Sequence, residues 1–260
     1  MNLIAKALKD GIQKSGVNPA MISMPSDIPF SQEVTRELGV DFFQTTRGRA
    51  IAFGTGLKLS NPALKVMPVA GDLMTLGGNH LVHGGRRNME LCVIVVNHFV
   101  YHTIAGKNAP PMTSAFSPYS TFEEPFNFPH LGNSCGAVFT ARWTALHTDD
   151  LGQSIATALN KRGLSLVEII APGPNYYAGI EHLDEQLLKF YREQSEVKNG
   201  EDPRHVAIAP DKKIIVGNFT DKERPTFIDQ YNMQLGKVLG EKFTPHGVID
   251  KEPLPGGKIG

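Results

Sequence analysis

Leu91-Cys92-Val93-Ile94-Val95-Val96 is an unbroken apolar run, rich in β-branched side chains, that stops abruptly at Asn97-His98. Runs of this kind are typical of parallel strands covered by helices on both faces. Working outward, Lys65–Ala70 reads as a second buried strand, made irregular by Pro68, and Ser165–Ile170 as a third. Shorter strands are expected at Met21–Met24, Gly136–Arg142 and Ile214–Val216. Between them lie helical patterns at Leu3–Lys14, Arg47–Leu59, Gly77–Arg87, Asp149–Arg162, Glu181–Glu196 and Pro225–Phe243. The stretch after Met24 reads as a Pro-rich loop, and Lys107–Leu131, with five prolines and no periodicity, as a long ordered loop or lid. Strands alternating with helices give an α/β fold, a three-layer α/β/α arrangement around a mostly parallel sheet. Residues 1–200 are expected to form the α/β domain. Residues 201–260 are expected to be a C-terminal extension packed on it or on a partner subunit.

The 260 residues suffice for one large domain, and a composition of 41% apolar and 20% charged residues is ordinary for a globular chain. A net charge of zero argues against nucleic acid or an anionic membrane as partner. There are two cysteines, Cys92 inside the apolar run and Cys135 at a turn-like entry to the next strand. They make neither a disulfide framework nor a four-thiolate metal site. With no signal-peptide pattern and no span of about 20 apolar residues, a cytoplasmic location is expected.

Ligands of open parallel sheets bind beyond the carboxyl ends of strands. Two such ends carry polar residues, Gly71-Asp72 and Asn97-His98, the latter followed by Tyr101. Glycine there lets backbone approach a phosphate, and a carboxylate can hold a divalent cation bridging to a diphosphate. Gly54-Thr55-Gly56 lacks the third glycine of a dinucleotide fingerprint and lies within a predicted helix.

More specific is the order of motifs: Thr45-Thr46-Arg47-Gly48-Arg49-Ala50, Thr55–Pro62, Val69-Ala70-Gly71-Asp72, Gly77-Gly78-Asn79-His80, His83–Asn88 and Val96–Tyr101. From Leu3 to Ile170 this resembles the thiamine-diphosphate-binding beta subunit of the 2-oxoacid:ferredoxin (acceptor) oxidoreductases. A weaker echo occurs in Val216–Phe219 and Glu223–Thr226. The resemblance implies a thiamine-diphosphate-binding fold that carries the diphosphate and Mg2+ half of a cofactor site for oxidative decarboxylation of a 2-oxoacid. Asp72 would be the metal carboxylate, His98 would stand at the second ligand position, and the Val100 carbonyl would be the third. Thr46, Arg47 and Gly48 would lie near the thiazolium and substrate. Gly71, Leu73, Asn97 and Tyr101 complete the expected cofactor contacts. An alpha, pyrimidine-binding partner subunit is implied, with a gamma or electron-transfer subunit.

The chain departs from the family at several of these points. Ser26 and the Pro172-Gly173-Pro174 turn stand where the family has cluster cysteines, and the N-terminal cysteine pair is missing, so no [4Fe–4S] cluster is expected in this chain. Gly-Asp-Gly becomes Gly71-Asp72-Leu73. The metal-binding Asn becomes His98, which suits transition metals or another divalent cation better than magnesium. Asn97, one residue earlier, points to the opposite face unless the register slips. Arg47 replaces a histidine and is suited to grip a second carboxylate or a phosphate.

His80 and His83 are best read as capping or packing residues; Arg86-Arg87 either bind phosphate or, for at least one of them, serve as a cation at a helix end. Lys107 and the aromatics Phe116, Tyr119, Phe122, Phe126 and Phe128 form either a substrate lid or a surface for a partner subunit. Two alternatives stand beside the oxidoreductase: a non-catalytic structural or regulatory paralogue, and a non-redox thiamine-diphosphate lyase or transferase subunit.

Overall fold

The computed structural model describes residues 2–71, 73–97, 125–171, 183–209 and 212–247. The chain enters through helix α1 (Asn2–Ser15), strand β1 (Ile22–Ser26), α2 (Gln32–Leu38), β2 (Asp41–Gln44) and α3 (Ala50–Ser60). Then come β3 (Lys65–Val66), β4 (Val69–Ala70), a π-helical turn at Leu73–Gly77, α4 (Gly78–Arg87) and β5 (Leu91–Asn97). The second half holds α5 (Phe128–Cys135), β6 (Phe139–Thr144), α6 (Thr148–Asn160), β7 (Leu164–Ile170), α7 (Leu183–Glu193), β8 (Ser195–Val197), β9 (Ile214–Asp221) and α8 (Phe227–Leu239).

Among the described residues the strands form one sheet in the order β2-β1-β4-β5-β7-β6-β9-β8, with β3 also pairing with β1. Pairing is parallel from β2 through to β6, and only β6–β9 is antiparallel. From β1 the chain goes to β2 on one side, then returns past β1 to β4 on the other. That reversal is a topological switch point, the place where parallel sheets bind ligands.

β5 lies at the centre, and every one of its residues is buried. Its alternate residues feed two cores, as the two-residue repeat of a strand requires. Cys92, Ile94 and Val96 pack with Leu8 and Ile12 of α1 and Ile155 of α6. Leu91, Val93 and Val95 pack with Ile51 of α3, Leu81 of α4 and Phe128 of α5. The three layers and the mostly parallel sheet are those expected from the sequence.

Several local expectations are corrected. The Pro-rich loop after β1 contains α2 and β2. Ser31 caps α2, its hydroxyl accepting from Val34 N–H, and Gly39 ends the helix in the left-handed region at φ 66°. The expected strand 65–70 is split in two at Met67-Pro68, since Pro68 lacks the N–H a continuous ladder would use; its carbonyl still accepts from Ile94 N–H at 2.8 Å. Residues 128–131 are not loop but the first turn of α5, started by the Asn127 side chain and by Pro129. Gly136 caps α5 at φ 102°, so Cys135 closes a helix and β6 starts three residues later than the expected Gly136. Phe128 is buried in this chain's own core and so belongs neither to a lid nor to a subunit surface, whereas Phe126 is exposed beside it. Helix α7 ends at Glu193, and Ser195–Val197 is a strand. β9 runs to Asp221, five residues past the expected Val216, and pairs with both β6 and β8, so residues 200 and 201 lie between two paired strands of the sheet.

Candidate functional site

The sequence-predicted residues Asp72, His98, Val100 and Tyr101, with Lys107, Phe116, Tyr119 and Phe122, lie outside the described residues. Thr46, Arg47, Gly48, Gly71, Leu73 and Asn97 lie within them, all at the carboxyl ends of strands or just beyond.

Asp27, which follows β1 at the switch point, brings two of these segments together. Its carboxylate is buried, at 4% exposure. Oδ2 accepts from the Gly48 N–H at 2.9 Å, and Oδ1 accepts from the Gly71 N–H at 2.7 Å. One side chain therefore joins the loop after β2 to the loop after β4. The Thr46–Gly48 turn is tied down further. Thr45 donates its N–H and its hydroxyl to the Ser26 carbonyl, and the Thr46 carbonyl accepts from Arg49 N–H. Gly48 has φ 68°, and a Cβ there would come within 2.4 Å of the Leu76 Cβ. Gly77 presses from the other side, its own Cβ position 2.6 Å from the Gly48 carbonyl. Only glycine fits this crossing. The Arg49 guanidinium donates to the Leu76 carbonyl and completes the join between the turn and the π-helical segment.

Helix α3 starts at Arg49 without a side-chain cap, whereas α4 continues directly from the π-helical turn. Uncapped N-termini keep N–H donors and the positive end of the helix dipole available to an anion. Arg47 is exposed at the rim of the loop, while the Leu73 side chain is buried in the core under α4.

The Asn97 side chain turns toward the α4–α5 layer and donates from Nδ2 to Glu168 Oε1 at 2.7 Å. Glu168 Oε2 accepts from Arg142 Nε at 2.6 Å, and both members of that ion pair are fully buried. The Arg142 guanidinium also donates to the Val206 and Ile215 carbonyls. This network fixes the last residue of β5 against β7 and β6 and reaches into the segment before β9. Sequence reasoning missed it, as it missed Asp27. A usable signal was present: Arg142 and Glu168 are the only charged residues of two otherwise uncharged strands and are direct neighbours in the parallel register.

Other motif residues serve the far end of the sheet. Gly84 packs on Leu164, and a Cβ on Gly85 would meet the Cys135 carbonyl at 2.5 Å. Asn88, buried and left-handed at φ 52°, donates from Nδ2 to the Arg224 and Pro225 carbonyls and accepts from Leu164 N–H at Oδ1. These groups are scaffold. His83 is exposed, and His80 is half-buried on α4, its pKa lowered by desolvation and by the charge of Arg49. Among the described residues no group of three His, Cys, Asp or Glu is arranged to hold a metal. Burial pushes the Cys92 thiol up to about 12, which makes it inert. Cys135 is also raised by burial.

A cleft of about 910 Å³ opens near Lys14, Lys161, Arg162, Lys222 and Arg224. It lies at the amino ends of β6 and β7, opposite the loops just described. Most of its charge is internally matched, with Lys14 on Asp10, Lys161 on Asp221 and Arg162 on Asp229. Size alone does not make it the site. The chemistry converges at the switch point. No helix among the described residues is long and apolar enough to cross a membrane.

Residues 30–169 match the family model for the thiamine pyrophosphate enzyme C-terminal TPP binding domain. The chain is 36% identical over 231 residues to a protein named 2-oxoglutarate synthase subunit KorB from Methanothermobacter marburgensis, spanning 85% of this chain and 80% of that one. The like-named subunit of Methanocaldococcus jannaschii is 32% identical over 250 residues, spanning 93% and 90%. In the solved 2-oxoglutarate:ferredoxin oxidoreductase from Magnetococcus marinus, one chain superposes with a TM-score of 0.73 at 23% identity, over 95% of this chain and 87% of that one. That last likeness is one of fold. On the strength of the family model and the sequence relatives, the chain belongs to the beta subunits of the thiamine-diphosphate-dependent 2-oxoacid:ferredoxin oxidoreductase family.

Proposed function

We infer that this chain supplies the diphosphate- and metal-binding half of a thiamine diphosphate site in a multi-subunit enzyme that oxidatively decarboxylates a 2-oxoacid, with 2-oxoglutarate the favoured substrate. The observation that carries this reading is the Asp27 bridge. It sets the Thr46–Gly48 turn and Gly71 side by side at the switch point, beside the start of α3, which lacks a side-chain cap. That N–H-rich end suits a diphosphate, and Gly71 brings backbone close enough for Asp72 to follow as the carboxylate of a bridging divalent cation. Mg2+ would be held by Asp72, residue 98 and the Val100 carbonyl, with Tyr101 a further cofactor contact; the Leu73 and Asn97 side chains are engaged in the core and on Glu168, so contacts from those two would come from backbone.

When bound, thiamine diphosphate supplies the electron sink for decarboxylation. The chain's own residues bind and orient. The Thr46–Gly48 turn faces the reacting end, and the Arg47 guanidinium grips the distal carboxylate of a dicarboxylic substrate, which is what separates 2-oxoglutarate from pyruvate. The pyrimidine half of the site comes from an alpha-type partner. The chain has two cysteines, one buried in β5 and one closing α5, so electrons leave through a cluster or flavin of a partner subunit.

The test is to purify the chain with its co-expressed partner subunits, quantify bound thiamine diphosphate and divalent metal, and follow 2-oxoglutarate-dependent reduction of a one-electron acceptor. Stoichiometric cofactor and turnover are expected. A complex that takes up neither cofactor nor metal at saturating concentrations overturns the reading in favour of a non-catalytic paralogue, and turnover without reduction of the acceptor favours the lyase or transferase.

A further inference from the structure

We propose that Asp27 is the positioning residue of the cofactor site, a buried carboxylate latch whose two oxygens set the spacing of the Gly48 and Gly71 loops and thereby the affinity for thiamine diphosphate. This rests on the functional reading above.

Burying a carboxylate away from water is costly. At 4% exposure Asp27 has lost nearly all its water, and such a group persists only where charge-assisted hydrogen bonds replace that water. Each oxygen has a separate backbone donor, Gly48 N–H at 2.9 Å and Gly71 N–H at 2.7 Å, from loops 21 and 44 residues away in sequence. The start of α3, two residues after Gly48, adds the positive end of its dipole. An amide cannot do the same work. Asparagine offers one acceptor oxygen, and its NH2 would face the second N–H donor. The requirement is for two acceptors on one rigid fork.

The geometry also shows what the latch controls. Gly48 is wedged against Leu76 and Gly77, so holding Gly48 holds the π-helical turn and the start of α4. Gly71 sits against Ile28, its Cβ position 2.4 Å from the Ile28 Cγ2, immediately before Asp72. Asp27 lies beneath these loops with both oxygens engaged, so it positions the groups that bind and does not itself bind.

The experiment compares wild type and Asp27→Asn in the purified complex, by amide hydrogen exchange without cofactor and by titration with thiamine diphosphate and Mg2+. In the variant the Gly48 and Gly71 amides should exchange at least tenfold faster. The Leu164 amide, held by Asn88 at the other end, should be unchanged. The apparent Kd for thiamine diphosphate should rise at least tenfold, while kcat at saturating cofactor changes less than threefold. If Asp27→Asn does not accumulate, Asp27→Glu keeps the charge, displaces it by one methylene, and carries the same expectations at about threefold. Faster exchange with wild-type cofactor affinity reduces the latch to scaffold and overturns the proposal, as does unchanged exchange. A wild-type complex that binds no thiamine diphosphate overturns the functional reading instead, and is recognised before any variant is made.

Discussion

At the carboxyl end of the sheet one side chain, Asp27, ties together loops distant in sequence; at the amino end another, Asn88, does the same. Asp27 meets two N–H donors and is a carboxylate. Asn88 meets two carbonyls and one N–H, and is an amide, the neutral group with both kinds of capacity. The partners decide the chemistry of each hub. Where loops present N–H groups, the joint must be an anion, and the same N–H-rich surroundings suit a phosphate ligand. Where loops present carbonyls together with an N–H, a neutral amide suffices. Two ends with equally dense hydrogen bonding are thus divided into a working end and a structural one.

The largest effect tests how firmly the working end rests on buried charge. Glu168→Ala leaves Arg142 buried without its counter-ion and should cost about 3–5 kcal/mol in chemical denaturation. Replacing both residues with leucine should recover much of that loss. A single variant near wild-type stability would show that the pair is hydrated and the network marginal. Asn88→Gly keeps the left-handed backbone but deletes three hydrogen bonds, for about 2–3 kcal/mol, with cofactor affinity of the folded protein unchanged. A parallel loss of affinity would erase the distinction between the two ends.

Arg47→Ala should raise KM for 2-oxoglutarate about tenfold and leave kinetics with pyruvate almost unaltered, consistent with loss of one charge-assisted contact. Equal effects on both substrates would remove Arg47 from substrate recognition. His147 is next. Burial, assisted by the charge of Arg192, lowers its pKa from 6.5 to about 4, against a favourable contribution from Asp150. The folded protein therefore holds it neutral. The stability it contributes is present above pH 6.5 and is lost as pH falls to about 4, by roughly 1–3 kcal/mol. His147→Asn should flatten that part of the melting-temperature profile. Smallest is Arg162→Ala at the amino-end cleft. This exposed pair with Asp229 should contribute under about 0.5 kcal/mol, and a large change in Tm would give the cleft a structural weight it lacks in this account.

Much of the fold was legible because burial writes itself into strands such as Leu91–Val96 and into the stripe Ile4, Ala7, Leu8 and Ile12 of α1. What escaped was short. β2 and α2 together occupy 11 residues around single buried contacts such as Leu38, and β8 is one half-buried and two exposed residues added at an edge. At the site, the glycines and Arg47 could be read because a motif order carried them. Asp27 could not, since its meaning lies in partners 21 and 44 positions downstream. Motif order also misled: Gly84, Gly85 and Asn88 stand in the same string as Gly71 yet belong to the opposite end of the sheet. A linear order of motifs does not separate residues that touch a ligand from those that keep strands parallel.

The antiparallel pairing of β9 with β6 has a consequence in time. Until β9 is made, β6 has one open edge, and the Arg142 guanidinium lacks the Ile215 carbonyl. Roughly 75 residues separate the two strands, so at about 5–20 residues per second the nascent chain carries an unpaired edge for roughly 4–15 s. Arg142 is the only charged residue of β6, and an inward-pointing charge on an open strand discourages pairing with the wrong neighbour. The side chain that joins β6 to β9 in the folded sheet is thus also suited to guard that edge during synthesis.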